Sequence, residues 1–303
     1  MEIYVVLSVA ALQAMLIGQP PPAVPPEGPS ALSVETQAPA QTEDADDASE
    51  AGAGPEEEPS RWRRAGRTLG RDFGSFYSIR TFRRVGVALV VGGGLANTSG
   101  DEEIQDWYRE DVRSAGSDDF AEGVEVLGDD WVAPAFVLLG VAGEVLADGP
   151  AGGGVGGWVR RSGRAVLVGA PSVYYLQQLT GGNRPSDGLG SEWEPFDGSH
   201  GVSGHTFLGA VPFLTVARMS RSRLVDALAV AASALAGWGR LNDDQHYASQ
   251  VLLGWYVAWE ATGAIARSER RTAAGGGEEA ARAFTLRPLA LPEGGGLLAT
   301  WRF

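Results

Sequence analysis

The sequence predicts an all-α fold: a bundle of six helices, with a disordered segment before it and a short C-terminal hairpin after it. Three observations lead there. From Arg84 onward, apolar runs of helical length recur at about 84–98, 129–147, 163–180, 203–219, 222–240 and 246–267. Residues 19–60 are rich in Pro, Ala and acidic side chains and poor in large apolar ones, so they cannot recover the entropy lost on ordering. Near the C-terminus, "AFTLRPLALPEGGGLLATWRF" changes period, with short apolar runs flanking a Pro-Glu-Gly-Gly-Gly turn.

Taken in order, residues 1–18, "MEIYVVLSVAALQAMLIG", are apolar and of signal-peptide length, although Glu2 stands where a positive residue is usual. They read as an export signal or retained membrane anchor, with a buried core helix as the alternative. Residues 19–60 form an acidic linker. Residues 61–83 are dense in arginine with Trp, Phe and Tyr interleaved, a basic amphipathic segment suited either to an anionic membrane surface or to packing its aromatics on the domain. Residues 84–270 make the helical domain, and 271–303 a linker and the hairpin. Small residues along the apolar runs would let helices approach closely.

Most of those runs reach only the lower limit of the roughly 20 apolar residues that span a bilayer. Several carry a charge, such as Glu144 or Glu260. An embedded bundle and a membrane-associated soluble one both fit, and the reading favours a membrane or periplasmic-side location in the cell envelope.

Composition removes several classes of function. The chain has no cysteine, so disulfides and thiolate metal sites are excluded, and every one of its 24 basic residues is arginine, so no mechanism can use lysine. The net charge is −14, but residues 19–60 hold ten acidic residues and no basic one, and Glu2 is an eleventh. Setting those eleven aside leaves −3 on residues 61–303. Such a body has no broad basic face for nucleic acid.

All three histidines fall between positions 200 and 246. Three stretches belong with them: "QQLTGGNRPSDG", in which Arg184 and Pro185 follow an apolar helix; "GVSGHTF", in which Ser203, Gly204 and His205 open another; and "GRLNDDQHYASQ", in which Arg240 closes one helix and His246 precedes the next. Alternating helix directions would bring all three to one end of the bundle. A helix N-terminus after Ser-Gly offers free amides and a positive dipole end to an anion. Arginines grip phosphate oxygens in pairs. One histidine can attack phosphorus while the other protonates the leaving oxygen, and no metal or other cofactor is needed for that chemistry.

The three stretches resemble the signature of the type 2 phosphatidic acid phosphatases, which share their architecture with the vanadium haloperoxidases. That signature reads K-x6-R-P, P-S-G-H and S-R-x5-H-x3-D. Here it reads Q-x6-R-P (Gln177 to Pro185), V-S-G-H (Val202 to His205) and G-R-x5-H-x3-Q (Gly239 to Gln250). The resemblance spans about residues 84–267. It implies a six-helix bundle and a metal-independent phosphatase of phosphate monoesters or diphosphates, with lipid or isoprenoid phosphates as typical substrates. It also implies that His246 is the nucleophile, forming a phosphohistidine, and His205 the general acid. Arg184, Arg240, Ser203 and the Gly204 amide would hold the phosphate.

Two positions depart from the signature. Gln177 stands where the family has its phosphate-binding lysine, which costs the charge-assisted part of that hydrogen bond. Gln250 stands where an aspartate orients the nucleophilic histidine; Asp243 or Asp244 is the available substitute. These departures are the best evidence for one alternative, a non-catalytic envelope protein that binds phosphate or a lipid headgroup. A second alternative, a vanadate-dependent haloperoxidase on the same scaffold, is weakened by the missing lysine at least as much as the phosphatase reading. His200, in the loop "FDGSH", is expected at the surface. The acidic pairs near 101 and 129 are expected as solvated loops or helix N-terminal charges.

Overall fold

The computed structural model describes residues 2–8, 60–129, 131–275, 284–291 and 294–302. Among them are ten α-helices: α1 (Arg61–Phe76), α2 (Ile79–Ala96), α3 (Gly100–Trp107), α4 (Ala115–Glu125), α5 (Val132–Leu146), α6 (Gly154–Thr180), α7 (Gly204–Met219), α8 (Arg223–Ala232), α9 (Leu235–Asn242) and α10 (Ala248–Ala273). The fold is an all-α bundle. The acidic linker, residues 19–60, lies outside the described residues except Ser60.

The centre of the bundle is α10, which packs against α1, α2, α6 and α7. Leu253, Val257, Ala261, Ala264 and Ile265 are buried along it, and Phe207 and Leu214 of α7 with Val166 and Val168 of α6 complete the core. Burying such side chains stabilises by about 1.5–3 kcal/mol each relative to exposure. Small residues do bring helices close: a Cβ on Gly140 of α5 would come within 2.7 Å of the Gly163 Cα on α6.

The helices outnumber the six expected, for local reasons. Ser60 caps α1 by accepting from the Arg63 amide at 3.4 Å, and Phe73, Phe76 and Tyr77 turn inward to the core while Trp62 stays exposed. The run expected at 222–240 divides at Ser233, which ends α8. Residues 100–125, which lack a long apolar run, fold as α3 and α4 joined by a wider turn at Tyr108–Val112. The acidic run near 101 stands in the first turn of α3, as one of its two expectations had it, but Asp101 is not solvated. It is fully buried, and its carboxylate accepts from the Ser249 amide at 2.8 Å and from the Ser249 hydroxyl, so it caps the start of α10. The charges inside apolar runs are likewise internal. Glu144 pairs with Arg160 at 2.9 Å, and Glu260 with Arg84 at 2.9 Å.

Outside the bundle, three strands form one antiparallel sheet in the order β1 (Glu2–Ser8), β3 (Gly294–Arg302), β2 (Phe284–Leu291). The C-terminal hairpin pairs Leu291 with Gly294 at its closed end. The opening segment differs from the helical reading: Glu2–Ser8 is a strand paired with β3, consistent with the β-forming residues in "IYVV". The rest of residues 1–18 lies outside the described residues, save that strand.

By length and composition alone, Ala115–Leu146 and Arg223–Asn242 are apolar enough to cross a membrane, although each is divided between two helices. Val90 of α2, Leu138 of α5 and Leu228 of α8 are exposed.

Candidate active site

The C-terminal end of α6 and the first turns of α7 and α10 meet at one end of the bundle, and hydrogen bonds tie the three motif stretches together. From the first stretch, the Asn183 carbonyl accepts from Gln250 Nε2 at 2.8 Å, and the Ser186 amide donates to the Asp244 carbonyl at 3.0 Å. From the second, the Ser203 amide donates to the Gln250 carbonyl at 3.0 Å. Gln177 Nε2 donates to the Val202 carbonyl at 2.9 Å, which binds the end of α6 to the start of α7. Gly254 permits the approach of α7 to α10, because a Cβ there would overlap the Ser203 carbonyl.

His246 lies at the centre and is only 4% exposed. Its Nδ1 is 2.8 Å from Gln250 Oε1. The same oxygen accepts from the Tyr247 amide at 3.2 Å, while Gln250 Nε2 is committed to Asn183. The amide is therefore oriented by its own network, so its oxygen faces the ring. An acceptor at that position places the proton of neutral His246 on Nδ1 and leaves a lone pair on Nε2. Burial pushes this imidazole down to about 3; the Gln250 hydrogen bond opposes the shift, and Arg240, His200 and Arg184 add to it. The ring is neutral through the physiological range.

The two arginines converge on one atom. Arg184 Nη1 donates to Gln245 Oε1 at 3.0 Å, and Arg240 Nη2 to the same oxygen at 3.3 Å. Arg240 is also paired with Glu125 at 2.9 Å. The Nε atoms of both arginines are buried and donate to nothing among the described residues. Two orphaned charged donors around a shared acceptor are what an oxyanion would satisfy.

The remaining expected residues fall as follows. Ser203 caps α7, its hydroxyl accepting from the Thr206 amide at 3.2 Å and the Thr206 hydroxyl at 2.8 Å. Gly204 opens that helix, and among the described residues a Cβ there would touch only Gln177 Nε2, at 3.5 Å. His205 follows in the first turn, half-buried, with its backbone packed against Gly128.

Two expectations are corrected. His200 is not a loop residue away from the site: it is half-buried and its ring lies edge-on to His246, with centroids 6.3 Å apart. Burial, then Arg184, lowers its pKa, against an opposing effect of Asp187. Asp243 and Asp244 do not stand in for the missing aspartate. Asp244 accepts from Arg109 and Arg113, each at 2.8 Å, and Asp243 from Asn242 at 3.1 Å. Gln245, Asn183 and Glu125 carry much of the local geometry and were not singled out in the sequence. The signal for Gln245 was its place directly before His246.

The bundle gathers two arginines, a buried histidine and a helix N-terminus at one end, which makes it a helical protein with a clustered cationic site. Residues 169–272, from within α6 to the end of α10, match the sequence model of the PAP2 superfamily. Over those residues the chain is similar to that superfamily, the type 2 phosphatidic acid phosphatases, whose members are generally phosphatases. The match takes in all three motif stretches and about a third of the chain. No curated protein and no solved structure matches the chain.

Proposed function

We propose that this protein is a phosphatase that hydrolyses a phosphate monoester or diphosphate through a phosphohistidine on His246. The observation that carries the reading is the pair of unpartnered Nε donors on Arg184 and Arg240 beside a neutral His246 whose proton is held on Nδ1 by Gln250. In the first step the His246 Nε2 lone pair attacks phosphorus and a P–N bond forms. The P–O bond to the leaving group breaks, and that oxygen takes a proton. The guanidiniums and the first amides of α7 stabilise the charge spread over the non-bridging oxygens. In the second step water attacks phosphorus, gives its proton to the histidine that acted as acid, and releases phosphate and free His246.

By resemblance the acid is His205. A second reading of that role rests on His200, whose ring lies edge-on to His246 with centroids 6.3 Å apart. Gln177, at the lysine position, serves in this reading by holding the start of α7, through Val202, where the phosphate is bound. The substrate class is a phosphorylated lipid or a small phosphate ester, met in the cell envelope, in line with the exposed apolar faces and the superfamily.

The test is phosphate release from a generic aryl phosphate by the full chain and by His246→Ala, with ³²P-labelled substrate to trap the acid-labile adduct. Turnover and labelling are both expected to vanish in the variant. Unchanged turnover would sink the proposal. His200→Ala and His205→Ala, assayed with an ester of an activated and an unactivated alcohol, separate the acid: its loss spares the activated ester and slows the other. Binding of phosphate without any hydrolysis would instead favour a non-catalytic headgroup-binding protein.

A further inference from the structure

The far end of the bundle holds a second basic feature. A cavity of about 530 Å³ lies between the end of α7, the second half of α10 and the α5–α6 connection at Ala151–Gly153. Thr215 and Gly204 are eleven residues apart on α7, so the cavity is roughly 17 Å along the helix from the motif end. A ligand there would not occupy the proposed catalytic site.

Four arginines line it: Arg161, Arg218, Arg221 and Arg270, with Glu269 as the one carboxylate among the lining residues. Arg161 and Glu269 pair with each other at 2.8 Å, and Glu269 also binds Arg164 at 2.9 Å. Among the described residues no carboxylate lies within salt-bridge distance of Arg218, Arg221 or Arg270. Arg218 stacks on Trp259, its guanidinium carbon 4.0 Å from the ring centroid, which fixes its plane.

Arginine in the last turn of a helix is favoured by the helix dipole. That accounts for Arg218 and Arg270 standing where they do. It does not account for two buried polar atoms of the lining: the Thr215 hydroxyl, on a residue 2% exposed, and Arg218 Nε, neither of which has a hydrogen-bond partner among the described residues. Buried polar atoms without partners are rare, because each costs its desolvation. Met219, Ile265, Ala266 and Ala273 give the wall an apolar part, and the Thr262 hydroxyl beside them is spent on the Ala258 carbonyl at 2.9 Å.

We propose that this cavity is a second, non-catalytic binding site for an amphiphilic phosphate. The phosphate oxygens accept from Arg218, Arg270, Arg221 and the Thr215 hydroxyl, and the apolar part of the ligand lies against Ile265, Ala266 and Met219. A phosphate suits the site better than a carboxylate, since its oxygens can satisfy several guanidiniums at once. The source is either a lipid headgroup or a soluble phosphate ester.

Two probes distinguish these sources, each used on the full chain carrying Arg184→Ala and Arg240→Ala to silence the motif end. One is inorganic phosphate, by calorimetry; the other is vesicles of phosphatidic acid in phosphatidylcholine, by flotation. On that background binding is expected to persist, to weaken about tenfold with Arg270→Gln, and to weaken about fivefold with Thr215→Val. Sensitivity of the vesicle arm assigns a lipid headgroup, and sensitivity of the phosphate arm alone assigns a soluble ligand. If neither probe's binding responds to Arg270→Gln or Thr215→Val, the proposal is overturned. Thr215→Val changes shape very little, so it keeps the test decisive should circular dichroism show that the arginine variant is misfolded.

Discussion

His246 and Gln250 are joined by a hydrogen bond of 2.8 Å between Nδ1 and Oε1, four residues apart across the start of α10. An uncharged amide therefore does the geometric half of what a carboxylate does for a catalytic histidine. It selects the tautomer and aims the ring, yet it does not stabilise imidazolium by charge. The two functions can be separated by mutation.

Gln250→Leu removes both the acceptor for His246 and the donor to Asn183, so the ring loses its tautomer and the loop its tie. The expected result is a fall in kcat on the order of 100-fold with little change in KM, short of the ~10,000-fold loss that follows a wrong tautomer in a Ser-His-Asp triad. Gln250→Glu keeps the reach to His246 but sets a carboxylate oxygen against the Asn183 carbonyl. It is expected to raise the pKa of His246 while destabilising the fold, read by histidine NMR and by thermal unfolding. The structure makes glutamate, rather than the shorter aspartate, the informative replacement.

Gln245 offers a sharper test of the anion site. Its Oε1 bridges Arg184 and Arg240, where the acceptor is neutral. Gln245→Glu would put a permanent negative charge between two guanidiniums and satisfy them internally. Competitive inhibition by inorganic phosphate should then weaken about tenfold or more. Gln245→Ala should leave it within a few-fold of the parent. Equal inhibition of parent and Gln245→Glu would show that phosphate binds elsewhere.

Much of this site could be read from the chain, and what could not has physical causes. The convergence of Arg184, Ser203, Arg240 and His246 follows from helices that alternate direction, a property of spacing. Gln245 and His200 escaped because their importance lies in side-chain direction across loops, which periodicity does not encode. Asp101 escaped for a related reason. A carboxylate in the first turn of a helix is ordinary, and only tertiary packing shows that this one caps α10 instead of its own helix. The fold class was legible in the apolar runs of α6, α7 and α10. The pair α3 and α4 was not, because those helices bury a few residues each against α9 and α10 and carry no sustained apolar stripe.

The depressed pKa of His246 has a stability consequence. Its folded value, about 3, lies below the ordinary 6.5, so between those limits the unfolded chain binds a proton at this site that the folded chain does not. The contribution is fully present above about 6.5 and is lost as pH falls, at about 1.4 kcal/mol per pH unit. Urea unfolding of the parent and of His246→Gln at about pH 7 and about pH 5 isolates this one group from the carboxylates. The parent should lose more stability than the variant on acidification. Identical losses would mean that the ring is solvated and titrates normally. The same property keeps the proposed nucleophile unprotonated in mild acid, so kcat/KM should show no fall near 6.5 that originates in His246.

The bundle itself is anchored away from the motif end by a buried ion cluster. Asp72 of α1 receives two hydrogen bonds from Arg164 of α6, at 2.7 and 2.9 Å, and both residues are within 1% of complete burial. Arg164 also reaches Glu269 of α10 at 2.9 Å and Glu144 of α5 at 3.4 Å, so one guanidinium joins four helices. Desolvating such charges is costly, and the stabilisation is realised only while every partner is present. Asp72→Ala leaves Arg164 Nε and Nη2 buried without an acceptor and should cost about 3–5 kcal/mol. The double replacement Asp72→Leu with Arg164→Met removes the charges together and should cost less than the single one. Denaturant midpoints at constant m-value measure both. A single variant as stable as the parent would mean that water reaches the guanidinium, and that α1 is not fixed to the bundle through this pair.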